Sequence, residues 1–407
     1  MHVLFVHPNF PAQFGHVADR LSRREGWRCT FVSEKPSGRV NRIELVQFTR
    51  KGGATAQNHY CSRTFENSVW NAHAVFEALK ARPDLRPDLV VGHSGFGSTL
   101  FLRDLYDCPI VNYFEYFYHA YGSDLDFRPD FPPKELDRLR SRARNAMLLL
   151  DLHNCDRGYS PTRFQHSQLP AEYREKVEVI FDGIDTEFWR PRPGVPRVVA
   201  GETIPEGMKV VTYATRGMES MRGFDIFMKA ARRIVSRRSD VMVVIAGEDR
   251  VCYGGDQRHT GSASFKEWVL SRDEYDLSRF RFLGRIPPDQ LATLFAISDV
   301  HLYLTVPFVL SWSLLNAMAC GATIVASDTA PVREVIEHGR TGLLVDFFDA
   351  EGLAEAALGV LERPEAFGHL GSNAAEHVRQ HYRLGPCLDR MVALFEEVIA
   401  AHRPGAR

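Results

Sequence analysis

Residues 306–346 read VPFVLSWSLLNAMACGATIVASDTAPVREVIEHGRTGLLVD. The run reads in order as a loop, a helix of small residues, a strand, a turn, a second helix and a last strand. Ser311 or Ser313 can cap the first helix, because a short hydroxyl side chain accepts hydrogen bonds from the free amides of a first turn. Gly321 stops that helix, as glycine takes the left-handed conformation that closes many helices. ATIVAS is continuously apolar and β-branched, the pattern of a strand buried in a parallel sheet. Pro331 suits the first turn of the second helix, and Gly339 and Gly342 mark its exit. A helix N-terminus beyond the end of a parallel strand points free amides outward, which is where α/β proteins hold phosphates.

The same alternation runs through the rest of the chain. HVLFVH, CTFVS, RIELVQF, DLVVGH, CPIVNYF, GYS and KVEVIFDG read as strands of a first half. Helices are expected near 12–24, 62–81 and 133–149, from the SPTRFQHS stretch, and from the glycine turn after DLVVGH through Phe101 and Leu105. Residues 186–206 hold four prolines and no hydrophobic period, so they read as a linker. KVVTYAT, VMVVIAG, RFRFLG, DVHLYL, ATIVAS and GLLV are the strands of a second half. A chain of 407 residues is too long for one core. The expectation is an α/β protein of two domains with parallel sheets, 1–185 and 206–384, and a last helix at about 385–407 that returns to the first domain.

Composition narrows the function classes. Hydrophobic residues make up 44% and charged residues 25%, and 50 basic residues against 51 acidic ones leave no global field for nucleic acid. Seven widely spaced cysteines form no CxxC pair or disulfide framework, which suggests a reducing, cytosolic setting. MHVLFVHPNF lacks a basic leader and a cleavage pattern and reads as a first strand. No run reaches the roughly 18 apolar residues of a membrane span. Sixteen histidines include no HExxH or similar spacing, so no metal is expected.

Arg216 and Arg222 flank the loop TRGMESMRGF after the strand KVVTYAT, where two guanidiniums can grip a diphosphate. Together with LLNAMACG and GATIVASDTAPVREVIEHGRTGLLV, they make the second half resemble the donor domain of glycosyltransferase family 4. FLGRIPPDQLATLFAISDVHLYLT, FDGIDTEFWRP, SPTRFQHSQLP and GHSGFG extend the resemblance over most of the chain. It implies the GT-B fold, two Rossmann-like domains facing a central cleft. It implies retaining transfer of a sugar from a nucleotide-diphospho-sugar, UDP favoured over GDP, to an acceptor hydroxyl of a metabolite, glycan or lipid-linked molecule. By that resemblance Arg216 and Arg222 stabilise the leaving diphosphate, although their spacing is one residue wider than usual. Arg285 and Ile286 fall in the segment around the base, and Phe308, Val309, Leu310, Ser311, Trp312 and Asn316 in the donor motif.

The departures are as informative. The family places a glutamate at each of the positions held here by Phe308 and Asn316. Asn316 keeps an oxygen for ribose hydroxyls but no charge, and Phe308 cannot accept a hydrogen bond, so backbone groups of Val309–Ser311 would have to serve the sugar. The glycine pair expected after the first strand falls near Pro11 and Ala12, with Gly15 the nearest glycine. Asp182 stands where Asn is usual. His93 can contact sugar or acceptor or be structural, and Glu115 can orient an acceptor or pair with nearby tyrosine hydroxyls.

Other patterns carry less. GHSGF lacks the second glycine of a nucleophile elbow, with Phe96 in its place, and Gly92, Gly95 and Gly97 miss the dinucleotide spacing. Asp124 and Asp126 are expected to be solvated loop acids. Lys134, Arg138, Arg140, Arg142 and Arg144 read as a solvated helix face, with contact to the inner face of a membrane as the alternative. The aromatic loop from Tyr113 to Tyr121 can stack on an acceptor. A catalytically inactive nucleotide-sugar-binding protein and an epimerase of the same fold remain as alternatives.

Overall fold

In the computed structural model, which describes residues 1–403, the chain divides into two compact units. The first contains residues 1–126, 132–183 and 385 onward, and the second contains 127–131 and 184–384. The last four residues of the expected terminal helix, 404–407, lie outside the described residues.

The first unit holds an eight-stranded sheet: β1 (His2–Val6), β2 (Arg28–Ser33), β3 (Gly38–Val40), β4 (Ile43–Gln47), β5 (Leu89–His93), β6 (Ile110–Tyr113), β7 (Arg157–Ser160) and β8 (Val177–Val179). The spatial order is β3-β4-β2-β1-β5-β6-β7-β8, parallel throughout except for the antiparallel edge strand β3. Every residue of β1 and β5 is buried, because helices cover both faces of a parallel sheet. The helix Leu384–Ala401 packs on this sheet from the far end of the sequence. Phe395 lies 6.4 Å from both Phe5 and Tyr159, and Glu397 pairs with Arg157 at 3.0 Å.

The second unit begins with a small antiparallel hairpin, β9 (Val198–Val199) and β10 (Glu202–Thr203). Its main sheet is fully parallel, built from β11 (Lys209–Gly217), β12 (Val241–Glu248), β13 (Phe280–Phe282), β14 (Val300–Tyr303), β15 (Ile324–Ser327) and β16 (Leu343–Val345). The order is β13-β12-β11-β14-β15-β16, with the sequence reversing direction beside β11. The helix Phe224–Arg237 buries Phe224, Phe227 and Ile234 and leaves its arginines outward. Tyr213 of β11 stacks on Phe227 at 4.3 Å.

Several local expectations change. The helix expected through Phe101 and Leu105 is a single 3-10 turn, Leu102–Asp104. Gly95 and Gly97 both hold positive φ in the segment that leads into it. The second helix of the opening motif is one turn, Ala330–Arg333, with Pro331 in its first positions. The first helix is shortened to Gly15–Arg23 behind a 3-10 turn, Ala12–Phe14. The linker contains the β9–β10 hairpin, and Phe127–Phe131 is counted with the second unit rather than the first.

Phe127 packs on Phe347 and Phe348, and Phe131 on Phe265 and Trp268. Between them Arg128 is buried and forks onto Asp225 at 2.8 and 2.7 Å, while also donating to the Ser220 carbonyl at 2.9 Å.

Candidate functional site

The second unit has a pocket of about 320 Å³ at the C-terminal ends of β11 and β12. Arg216 is exposed one residue before the end of β11, and Glu248 ends β12. Arg250, Arg285 and Ile286 close one side, and Ser311, Ser313 and Asn316 close another. Arg250 pairs with Glu248 at 2.9 Å. Three guanidiniums against one carboxylate leave a positive pocket suited to a polyanion. Ser311 caps the helix Trp312–Ala319, its Oγ accepting from the Ser313 amide at 3.3 Å and meeting the Ser313 Oγ at 2.8 Å. Gly321 ends this helix at φ 78°.

The loop between Arg216 and Arg222 is shaped by two glycines. A Cβ on Gly217 would lie 2.4 Å from the Arg250 carbonyl oxygen, so only glycine lets the two loops approach. Gly223 sits at φ 62°, where a side chain is strained, and opens the helix Phe224–Arg237. Arg222 is buried. Its Nη1 donates to Thr305 Oγ1 at 2.7 Å and to the Val309 carbonyl at 3.1 Å, and its guanidinium lies 5.2 Å from the Tyr253 ring centre.

The structure therefore brings Arg216, Arg285, Ile286, Ser311 and Asn316 around one pocket. Arg222 is not a lining residue but is held beside Thr305 and Val309. Phe308, Val309 and Leu310 are buried, and Phe308 packs on Tyr253 with ring centres 5.5 Å apart. The aromatic ring at position 308 has thus been absorbed into the packing around Arg222. Trp312 is 45% exposed at the start of its helix and is outside the lining.

Sequence reasoning missed Glu248, Arg250 and Glu219. Glu219 is fully buried, and its Oε2 accepts from the amides of Cys252, Tyr253 and Gly254 at 2.8, 2.8 and 3.1 Å. Burial pushes its carboxyl above the usual range against these amides, which pull it down. The bond fixes the loop that carries Tyr253. Its partners lie more than thirty positions away, at 252–254, so no local pattern announces it.

The first unit has its own cavity, about 450 Å³, at the C-terminal ends of β1, β2, β5 and β6. Asn9, Asn71, His93, Ser94, Glu115 and Arg144 are among its walls. His93 is buried and its Nδ1 meets the Ser94 carbonyl at 2.8 Å, which assigns the ring proton to Nδ1. Its Nε2 lies 3.9 Å from the Glu115 carboxylate. Burial pulls the imidazole down to about 4, and burial followed by the proximity of His93 pulls His7 to about 3. Both rings are neutral at pH 7. Asp151 accepts from the Gly95 amide at 2.7 Å, and burial lifts its carboxyl to about 7.

Gly15 does not line this cavity. A Cβ there would meet Pro11 Cβ at 2.8 Å, so its small size serves local packing, and Pro8 and Asn9 supply the loop after β1. The basic helix, Glu135–Asn154, is a solvated face only in part: Lys134 and Arg142 are exposed, and the other three arginines are not. Arg138, Arg140 and Arg144 stack on Tyr121, Tyr60 and Tyr118 at 4.4, 4.7 and 3.7 Å, because guanidinium planes gain more over aromatic rings than in water. The loop acids are likewise engaged. Asp124 accepts from Tyr116 Oη at 2.9 Å, and Asp126 from the amides of Gly122 and Ser123. Among the described residues no group of three or more His, Cys, Asp or Glu could hold a metal, and no helix is long and apolar enough to cross a membrane.

Residues 25–189 match the family described as Glycosyl transferase family 4 group, and residues 197–377 match Glycosyl transferases group 1. The N-acetyl-alpha-D-glucosaminyl L-malate synthase of Bacillus anthracis is 32% identical over 31% of this chain and 33% of its own length. The chain spans roughly a third to three fifths of the length of the curated relatives it matches. Sucrose-phosphate synthase from Thermosynechococcus elongatus superposes with a TM-score of 0.75 at 18% identity, over 98% of this chain and 99% of that one. Anabaena HepE in complex with UDP-glucose superposes with a TM-score of 0.68 at 15% identity, over 98% and 100%. Two parallel α/β units, two family matches that between them run from residue 25 to residue 377, and full-length superposition on these folds agree: the chain belongs to glycosyltransferase family 4 and has the GT-B fold.

Proposed function

We propose that the protein is a retaining glycosyltransferase that takes a sugar from a nucleotide-diphospho-sugar and passes it to an acceptor hydroxyl. The observation that carries this reading is the pocket in the second unit, where Arg216, Arg250 and Arg285 surround the ends of β11 and β12. A diphosphate leaving group gains negative charge as the glycosidic bond breaks, and guanidiniums already in place stabilise that charge without reorganising. Arg216 is the residue exposed to the leaving group. Arg222 adds a fixed positive charge behind it, held by Thr305 and the Val309 carbonyl. Asn316 offers its amide oxygen to the ribose, and Arg285 and Ile286 border the base. HepE, whose structure holds UDP-glucose, supports a uridine donor over a guanosine one. His93 and Glu115 belong to the acceptor side, where a neutral imidazole and a carboxylate can each accept a hydrogen bond from a hydroxyl.

A second reading, a nucleotide-sugar-binding protein without turnover, rests on Phe308. Its ring lies against Tyr253, at a position where the family uses a carboxylate. One experiment separates the two. Calorimetry with UDP, GDP and their sugars defines the donor, and anomer-resolved NMR of the product from a labelled donor reads transfer. Tight UDP binding with transfer and retained configuration is expected. Binding with neither transfer nor donor hydrolysis would favour the second reading, and inverted product would remove the retaining mechanism.

A further inference from the structure

The first unit's cavity holds a guanidinium whose own chain leaves it incomplete. Arg144 projects from the helix Glu135–Asn154, and its guanidinium carbon sits over Tyr118, 3.7 Å from the ring centre. Stacking covers its face and leaves its edge to hydrogen-bond. Its Nε is buried and has no hydrogen-bond partner, although the guanidinium also interacts with the Tyr118 hydroxyl and, through space, with Asp124. A buried charged donor left unpaired is costly, and a guanidinium edge with a free Nε–H matches an oxyanion side-on. Asp124 acts on Arg144 only through space and accepts from Tyr116 Oη at 2.9 Å, and the two acids in the cavity wall do not fill the role either. Glu34 is held by Arg50 at 2.7 Å, and Glu115 faces His93.

Two further unpartnered groups in the cavity wall have the opposite polarity. His93 Nε2 is buried without a hydrogen bond, and with the ring proton on Nδ1 it is an acceptor. Asn71 is 4% exposed; its Nδ2 donates to the Phe96 carbonyl at 2.9 Å, and its Oδ1 is unpartnered. Acceptors of this kind are satisfied by hydroxyl groups.

Building on the transferase reading, we infer that the cavity takes a polyhydroxylated acceptor that carries a carboxylate or phosphate. Arg144 holds the anion edge-on, and the hydroxyls donate to His93 Nε2 and Asn71 Oδ1. The fork geometry belongs to arginine, so lysine would keep the charge and lose the paired bonds.

Calorimetry on the full chain with glucose, glucuronate, glucose 6-phosphate and inorganic phosphate tests this, with UDP as a separate titration. At least one anionic probe is expected to bind about tenfold or more tighter than glucose. A preference for glucuronate would mark a carboxylate acceptor, and a preference for the two phosphates a phosphorylated one. Arg144→Gln should erase the anionic advantage, Arg144→Lys should restore part of it, and both should keep the UDP affinity and the thermal midpoint. The inference is overturned if no anionic probe binds the wild type, or if the advantage survives in Arg144→Gln. Loss of UDP binding alongside an Arg144-dependent anion site would instead sink the transferase reading and leave the anion site standing.

Discussion

The pocket of the second unit and the cavity of the first both form at the C-terminal ends of parallel strands, and they solve recognition in different ways. The second unit relies on charge: three arginines, one acid and a serine-capped helix start. Such a site grips any ligand of the right charge and leaves its shape to a few side chains. The first unit sets unpaired hydrogen-bond capacity beside one stacked guanidinium, Arg144. His93 and Asn71 are almost fully buried, and both imidazoles are held neutral. Charge tolerates exposure and loose geometry. An unpaired buried acceptor is costly until the matching donor arrives, so it discriminates more sharply. A donor site that handles a common nucleotide and an acceptor site that selects one molecule would divide the work along this line.

The largest expected effect lies at the pair that holds the loop between Arg216 and Arg222 at Ser220. Arg128→Ala leaves Asp225 buried without its partner and should cost about 3–5 kcal/mol in urea unfolding. The double variant Arg128→Ala/Asp225→Ala should recover much of that loss, since breaking a buried pair is worse than removing it. A single-variant cost below about 1 kcal/mol would show that the pair does not secure the loop at Ser220.

Arg216→Ala comes next and tests the charge side directly. Arg216 is exposed, so folding stability should stay within about 0.5 kcal/mol of the wild type. Turnover should fall about 10²- to 10³-fold if its guanidinium stabilises the leaving diphosphate. Unchanged turnover in steady-state kinetics would take Arg216 out of the mechanism.

The first unit is tested by pH. His93 titrates near 4 when folded and near 6.5 when free, so the unfolded chain binds the extra proton between those values. Its contribution to stability is present above pH 6.5 and lost as pH falls toward 4. His7 acts in the same direction, and Asp151, with its carboxyl raised, acts in the opposite one. Comparing wild type with His93→Gln at each pH cancels the Asp151 contribution and the part of the His7 shift due to burial, and assigns to His93 the part it imposes on His7. The wild type should lose up to about 3 kcal/mol more than the variant between pH 6.5 and 4. Parallel stability curves would mean that His93 is not held neutral.

The sequence made one of these regions much easier to see than the other. Arg216, Arg285, Ile286, Ser311 and Asn316 occur in runs with strand, glycine and helix-start signals, and strand ends in such folds converge on one place. The parallel strands were legible because burial on both faces leaves continuous apolar runs. Glu219 was not, since its three amide partners are brought to it only by the fold. Nor was Arg144: its neighbours suggest a charged surface, and only the fold brings Tyr118 under it. The 3-10 turn at Leu102–Asp104 was misjudged because apolar spacing cannot report the turns forced by Gly95 and Gly97. Local pattern encodes elements and their ends; it does not encode which buried polar group is left over for a ligand.

Asn316 offers the smallest effect and the finest test of the charged pocket. Asn316→Glu adds a carboxylate to a wall shared with three arginines. If this position reads the ribose, a charged acceptor strengthens the bonds from the two hydroxyls, and uridine should bind up to about tenfold tighter. UDP should gain as much or slightly less, because the new charge also opposes the diphosphate. If the position does not touch the ribose, uridine should be unaffected and UDP should weaken, since only the repulsion remains. Titrating uridine and UDP in parallel against wild type and variant separates the two contributions. A loss for UDP with no change for uridine would move the ribose site away from Asn316.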